Sequence, residues 1–262
     1  MDLDLTGKTA LVCGSTQGLG LASAQEIALL GAHVILMARN EEKLKQAITS
    51  LDTSRGQQHQ YLVADFAKPG EAGNTIQQFI NAGNTIHILV NNTGGPAGGK
   101  AIDAAPEAFT DTFQQHLLNN HALAQAIVPG MKSSGFGRII NIISTSVKQP
   151  IPGLGVSNTI RAAVANWSKT LATELGQFGI TVNNVLPGFT QTQRATYVIE
   201  KKSADSGQSA EDVMKDLVKE IPAGRIGQPK EFGAAVAFLA SPAAAYINGI
   251  NLPVDGGRLG TL

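Results

Sequence analysis

Short runs of apolar residues recur along the chain, and segments with an apolar residue at every third or fourth position separate them. The runs are rich in Val, Ile and Leu, which predicts strands buried on both faces, as in a parallel sheet. The predicted strands are Thr9–Cys13, His33–Met37, Tyr61–Ala64, His87–Val90, Arg138–Ile143, Thr181–Leu186 and Gly249–Val254. The predicted helices are Leu19–Leu30, Glu41–Leu51, Glu71–Asn81, Pro106–Met131, Val156–Phe178, Glu211–Glu220 and Glu231–Ala240.

Strands and helices that alternate in this way predict an α/β fold, a Rossmann-type doubly wound parallel sheet of about seven strands with helices on both faces. No repeat or Pro/Ser/Gly-rich linker divides the chain, so residues 1–262 are expected to form a single domain. The clearest helical signal lies between residues 156 and 178. One apolar face is predicted to run there through Val156, Ile160, Ala163, Trp167, Leu171, Leu175 and Phe178.

The composition argues against several classes of protein. The chain has 20 basic and 20 acidic residues and no Lys/Arg block, so we expect neither nucleic acid nor a membrane as partner. The single cysteine, Cys13, is typical of a reducing compartment, and the chain lacks a leader-like or 18-residue apolar run, so we expect a cytoplasmic protein. The five histidines show no metal-ligand spacing, so no metal site is expected.

The most informative motif joins the first predicted strand to the first predicted helix. Its three glycines let the backbone turn tightly and bring N–H groups at a helix N-terminus against a phosphate. The GxxxGxG spacing is a variant of the common dinucleotide fingerprint, and a loop that only packs a helix on a strand remains the alternative. The candidate cofactor residues of this loop are Gly14, Ser15, Thr16, Gln17, Gly18, Leu19 and Gly20.

Other polar residues follow the next predicted strands, at the edge where a doubly wound sheet binds its ligand. Arg39 stands where NAD-specific proteins usually have an acidic residue, and an arginine there pairs with a 2′-phosphate. We therefore expect NADP(H), with NAD(H) as second candidate and a solvated Arg39 as the alternative. Asp65 is a candidate acceptor for the adenine amino group. The other cofactor candidates here are Asn40, Phe66, Asn92, Thr93 and Gly94.

Over essentially its whole length, the chain resembles 3-oxoacyl-acyl-carrier-protein reductases of the short-chain dehydrogenase/reductase family. The matching stretches are residues 14–20, 65, 91–94, 137–144, 182–188, 225–229 and 254–257. The resemblance implies reduction of a carbonyl compound to an alcohol, with a 3-oxoacyl thioester as the implied substrate, and a homotetramer or homodimer. It also implies a substrate lid at about residues 190–225. After the turn at Pro187 and Gly188, it implies a contact with the nicotinamide carboxamide from Thr190 or Thr192, and all four residues are cofactor-binding candidates.

The resemblance is incomplete where the family's chemistry lies. The family uses an asparagine, a serine, and a tyrosine and lysine four residues apart; the tyrosine donates the proton, and the lysine holds the nicotinamide ribose. Ser144 keeps the serine position, whereas the tyrosine, lysine and asparagine positions fall on Ser157, Arg161 and His116. The chain is therefore similar to an atypical branch of the family that lacks the usual tyrosine and lysine.

These replacements change the available acids. A serine is a poor general acid compared with a phenol, whose pKa is about 10, whereas Arg161 keeps a positive charge and ribose contacts. His116 is either a proton source acting through water or a hydrogen-bonded helix residue without catalytic duty. Tyr197, in the expected lid, is a candidate cover for the substrate. Two functions follow: a carbonyl reductase with a nonstandard proton donor, or a catalytically impaired NADP(H)-binding sensor or partner protein.

Overall fold

The computed structural model describes residues 1–261, in which seven parallel strands form one sheet. The strands are β1 Thr9–Cys13, β2 His33–Ala38, β3 Gln60–Val63, β4 Ile88–Asn91, β5 Gly137–Ile142, β6 Ile180–Pro187 and β7 Asn251–Val254. Their order across the sheet is β3-β2-β1-β4-β5-β6-β7. The strand order therefore reverses between β1 and β4, which is where a doubly wound sheet opens a crevice for ligand.

Helices cover both faces of this sheet. They are α1 Gly18–Leu29, α2 Glu41–Ile48, α3 Glu71–Asn81, α4 Pro106–Phe113, α5 Asn119–Ser134, α6 Gly155–Leu175, α7 Gln193–Ser206, α8 Ala210–Lys219 and α9 Pro229–Ala240. Because successive side chains of a strand point to opposite faces, Ala10 and Val12 pack with α1 and α9, while Leu11 and Cys13 pack with α3, α5 and α6. The predicted fold class is confirmed.

Three details differ from the sequence-based prediction. The single helix expected over residues 106–131 is divided by a π-helical turn, Gln114–Leu118, and continues to Ser134. The buried face of α6 also differs, because Val164, Ser168 and Ala172 are its buried residues along the middle of the helix, and Phe178 is exposed. Helix α7 was not predicted, since its residues carry little apolar periodicity.

The buried face of α6 was predicted only in part: Val156, Ile160 and Leu175 are buried as expected, whereas the middle of the face differs because a polar residue contributes to it. Ser168 is fully buried, and its hydroxyl lies 3.2 Å from Asn141 Nδ2. Trp167 is only half-buried and donates from Nε1 to His121 Nδ1 over 3.4 Å. Within residues 1–261, none of the helices combines the length and the hydropathy needed to cross a membrane.

Candidate active site

A cleft of about 970 Å³ lies along the carboxyl ends of the strands. Segments that follow β1, β2, β3, β4 and β6 line it, together with the end of β5, the start of α6 and the start of α7. The cleft crosses the reversal in strand order between β1 and β4. Its position is that of the ligand crevice of a doubly wound sheet.

The glycine loop forms the middle of the cleft. Gly14 has a positive φ of 56°, and a Cβ on it would lie 2.6 Å from the carbonyl oxygen of Asn92. The Asn92 amide donates to the carbonyls of Gly14 and Cys13 over 3.0 and 3.3 Å, which ties the loop to the end of β4. No side chain of the described residues caps α1, so its first backbone N–H groups are available to an anion.

Two cations line the end of the cleft beyond β2. Arg39 follows the strand, and Lys43 lies in the first turn of α2, where the Asn40 side chain accepts a hydrogen bond from the Lys43 backbone over 2.9 Å. Neither cation pairs with a carboxylate in residues 1–261. Sequence reasoning missed Lys43, a basic residue in the first turn of the helix that follows Arg39.

Ser144, Ser157 and Arg161 line the opposite end of the cleft. The Ser144 Oγ accepts from the Ser146 N–H over 3.0 Å at the start of a short 3-10 turn, which leaves its own proton free to be donated. Ser157 and Arg161 both lie on α6, one helical turn apart, so their side chains are neighbours, as their spacing of four residues predicts. The structure thus brings these three predicted residues together on one wall.

Arg161 is 9% exposed, although it carries a guanidinium. Its Nη1 donates to the backbone carbonyl of Ile142 over 2.8 Å. Burial lowers the pKa of Arg161 from 12.5 to about 10, so it remains charged at neutral pH. In residues 1–261, no carboxylate forms an ion pair with this guanidinium. A charge that is buried without a partner in this way is costly and therefore points to a ligand that completes the site.

His116 lies in the π-helical turn, is buried behind the cleft, and does not line it. Its Nδ1 is 2.5 Å from the hydroxyl of Thr93, which does line the cleft. Burial, and after it the charge of Arg161, lowers the pKa of His116 from 6.5 to about 3. The imidazole is therefore neutral near pH 7. This geometry favours a hydrogen-bonded helix residue that orients Thr93 over an imidazolium proton donor.

Most of the predicted site residues line the cleft. Those that do are Gly14, Thr16, Gln17, Gly18, Leu19, Arg39, Asn40, Asp65, Phe66, Asn92, Thr93, Gly94, Ser144, Ser157, Arg161, Pro187, Gly188, Thr190 and Thr192. Ser15, Gly20 and His116 lie behind its wall instead. The buried Ser15 Oγ accepts from the Met37 N–H over 3.2 Å, so its side chain holds the loop to β2 rather than facing the cleft. Gly20 packs against the Gly14 carbonyl.

Residues from the start of α7 complete the cleft and were not predicted individually: Gln193, Arg194, Ala195 and Val198. Thr192 caps this helix through its side chain, and its methyl lies 3.6 Å from where a Cβ on Gly18 would be. Tyr197 is 53% exposed and its ring packs against the Arg194 guanidinium at 5.3 Å. No tyrosine in the described part of the chain lines the cleft.

The remaining features are the single cysteine and the possible metal ligands. Cys13 is fully buried, and burial raises the pKa of its thiol to about 12, so it is an unreactive core residue. In residues 1–261, no group of three or more His, Cys, Asp or Glu side chains is arranged to hold a metal ion.

The chain is similar to known reductases over nearly all its length. A family model described as enoyl-(acyl carrier protein) reductase matches residues 14–258. A 3-oxoacyl-[acyl-carrier-protein] reductase of Haemophilus influenzae is 36% identical over 253 residues, which cover 97% of this chain and 98% of that protein.

Solved structures show the same similarity. L-sorbose reductase from Gluconobacter frateurii, in complex with NADPH and L-sorbose, superposes with a TM-score of 0.93 at 32% identity and full coverage of both chains. An actinorhodin polyketide ketoreductase with NADPH has a TM-score of 0.88 at 31% identity, with 97% of each chain covered.

Proposed function

The chain belongs to the short-chain dehydrogenase/reductase family, and we propose that it is an atypical NADP(H)-dependent member that reduces a carbonyl to an alcohol with a nonstandard proton donor. The observation that supports this most directly is the gathering of Ser144, Ser157 and Arg161 at one end of a cleft whose other end has the features of a dinucleotide site. A 3-oxoacyl thioester is the substrate class that the relatives favour. The cytoplasm remains the expected compartment.

The described residues fit NADP(H). Gly94 and Gly95 line the cleft, and a Cβ on either would meet no atom within 4 Å, so the bare backbone leaves space that a ligand can occupy. The N-terminus of α1 suits the pyrophosphate. Arg39 and Lys43 suit the 2′-phosphate, and Thr93 and Arg161 suit the nicotinamide ribose. When bound, NADPH supplies the hydride for the substrate carbon.

The side chains around the carbonyl oxygen are proposed to stabilise its developing charge and to deliver the proton. Ser144 and Ser157 donate hydrogen bonds to the oxygen, and the Arg161 charge stabilises the alkoxide that develops there. Because a serine hydroxyl is too weak an acid to act alone, we propose that water supplies the proton and that Ser157 passes it on. His116 stays neutral and orients Thr93. Ser144, Ser157 and Arg161 are thus proposed as the catalytic residues and His116 as a positioning residue.

The segment at about residues 190–225 is proposed as the substrate lid. It contains α7 and α8, and the first turns of α7 line the cleft. We also propose one domain for the chain and a homotetramer or homodimer. Partly exposed apolar residues on the helices that flank the cleft, such as Leu118 and Phe113, suit a subunit interface.

The second candidate function is an NADP(H)-binding sensor or partner protein without turnover. The specific observation that favours it is the lack of any tyrosine lining the cleft in residues 1–261. The two functions differ in one property. The reductase oxidises NADPH only when a substrate is present and consumed, whereas the sensor binds NADPH without oxidising it.

The deciding experiment follows NADPH oxidation by absorbance across 3-oxoacyl thioesters, ketones and diketones. The protein is compared with its Ser157→Tyr/Arg161→Lys double variant. We expect turnover by the unmodified protein, with a product alcohol in equal amount to the NADPH consumed. If the protein binds NADPH but is inactive with every substrate while the double variant is active, the reductase proposal is wrong and the sensor is favoured.

A further inference from the structure

The charge at the reaction end of the cleft is unbalanced. Arg161 is buried, lines the cleft beside Ser144 and Ser157, and has a single described partner, the Ile142 carbonyl, for its five N–H donors. Burial lowers the pKa of Arg161, and none of the ion pairs in residues 1–261 includes its guanidinium. The remaining donors thus need an acceptor from outside the chain.

The acidic residue that lines the cleft is too distant to supply that acceptor. Asp65 follows β3, whereas Arg161 bonds to the end of β5. Four strand spacings separate β3 from β5 in the sheet, or roughly 19 Å at about 4.8 Å each. Asp65 is also occupied as the acceptor for the Ala67 N–H over 3.0 Å.

The cofactor in its proposed position does not supply the charge either. Its pyrophosphate would be held at the start of α1, beside β1, which is two strand spacings or roughly 10 Å from β5. Its 2′-phosphate would be held farther away, by Arg39 and Lys43. The ribose and reduced nicotinamide are neutral, and the oxidised nicotinamide is itself a cation. The ribose hydroxyls therefore accept hydrogen bonds from Arg161 but leave its charge unbalanced.

We propose that the substrate carries the missing charge: it is a small oxo acid whose carboxylate binds Arg161 while its ketone faces Ser144 and Ser157. The proposal rests on the reductase function above. The ketone takes a hydride from NADPH and one proton from water to give the hydroxy acid, and the carboxylate is unchanged. A 3-oxoacyl thioester has no charge at the corresponding position.

Binding of non-reducible probes tests the carboxylate site without requiring turnover. The protein loaded with NADP+ is titrated by calorimetry with hexanoate and with hexanamide, which have the same chain and differ in charge. A charge-assisted pair predicts that hexanoate binds about 10- to 100-fold more tightly. Equal affinity of the two probes overturns the proposal.

Variants assign the preference to Arg161. We expect Arg161→Gln to abolish the preference for hexanoate and Arg161→Lys to retain most of it. Arg194→Gln, which removes a cation from the lid side of the same cleft, is the matched control and is expected to keep the preference. If Arg194→Gln abolishes the preference and Arg161→Gln does not, the assignment to Arg161 is wrong. The comparison of probes on the unmodified protein needs no variant to fold.

Turnover separates this proposal from the proposed function. Oxo acids with one to three carbons between ketone and carboxylate are compared with their methyl esters, and kcat/KM is expected to be higher for the acid. If esters and thioesters are reduced as well as acids, the chain is a reductase without a carboxylate site. If neither is reduced but hexanoate binding depends on Arg161, the anion site stands and the reductase function fails.

Discussion

The two ends of the cleft are built differently. The cofactor end relies mainly on backbone: a glycine loop, the open N-terminus of α1, and an Asn92 amide that holds the loop in place. The proposed reaction end relies on side chains, those of Ser144, Ser157 and Arg161. Backbone geometry survives most substitutions elsewhere, whereas a side-chain constellation changes with one residue. A chain of this family can therefore keep its cofactor frame while its chemistry changes.

The largest predicted effect is a loss of NADPH affinity when the glycine loop at the cofactor end is distorted. In Gly14→Ala, a Cβ would lie 2.6 Å from the Asn92 carbonyl at a positive φ, so the loop must move and lose hydrogen bonds to phosphate. Loss of two charge-assisted bonds corresponds to roughly 1,000-fold weaker NADPH binding. Fluorescence titration of bound NADPH measures this. Gly99→Ala, where a Cβ meets no atom within 4 Å, is the control. Unchanged affinity in Gly14→Ala would mean that the loop does not bind the cofactor.

The next prediction concerns a change that should affect the reaction end of the cleft and leave the cofactor end unaltered. Ser144→Ala removes a donor to the carbonyl oxygen, for which a loss of about 100-fold or more in kcat is expected. The dissociation constant for NADPH should stay within about twofold, because the cofactor end is unchanged. Ser146→Ala is the matched control, since its Oγ is buried two residues away and bonds to no group among residues 1–261. Equal rates in Ser144→Ala and the unmodified protein would remove Ser144 from the mechanism.

A smaller effect tests how the cofactor end recognises its ligand. Arg39→Ala and Lys43→Ala each remove a cation from the position proposed for the 2′-phosphate, so NADPH affinity should fall about 10- to 100-fold while NADH affinity is unchanged. Lys45→Ala is the control, because Lys45 is on the same helix but pairs with Glu41 and Glu42. If the affinities for NADPH and NADH fall equally, Arg39 and Lys43 do not bind the 2′-phosphate.

The sequence predicted the fold well, and most of the candidate cofactor residues line the cleft, because both depend on local signals. Apolar runs of strand length and the glycine loop are visible without tertiary context. What it missed depends on contacts between distant residues. The fully buried Ser168 accepts a hydrogen bond from Asn141, a residue 27 positions away, so its place in the buried face of α6 could not be seen from the spacing of apolar residues. The partner of Ser15 is the β2 backbone, which no spacing rule reveals.

The reaction end shows the same limit more strongly. Its residues were found by alignment to a family pattern, but their protonation depends on burial that the sequence does not display. His116 was expected either to feed a proton or to hold a hydrogen bond, and its unperturbed pKa near 6.5 allowed both. Burial of the ring beside Arg161 favours the hydrogen-bonding role.

The pH dependence of the free energy of unfolding tests whether His116 is neutral in the folded protein. His116 has a pKa lowered to about 3 in the fold, whereas the unfolded chain has about 6.5. The unfolded state therefore binds the extra proton below pH 6.5, so the stabilising contribution is present above that pH and is lost as pH falls toward 3. Between pH 7.5 and 5.5 we expect a loss on the order of 1 kcal/mol in the free energy of unfolding.

Urea unfolding of the protein and of His116→Asn at the two pH values measures this loss. We expect the stability of the unmodified protein to fall by the larger amount, because the asparagine side chain of the variant has no proton to gain. His87, whose pKa burial also lowers, contributes equally to both proteins and cancels in the difference. Parallel behaviour of the two proteins would mean that the folded imidazole takes up a proton near pH 6.5. In that case a charged His116 would lie behind Thr93 and could supply a proton to the reaction end of the cleft. The unusual residues of that end would then be Ser157 and Arg161 alone.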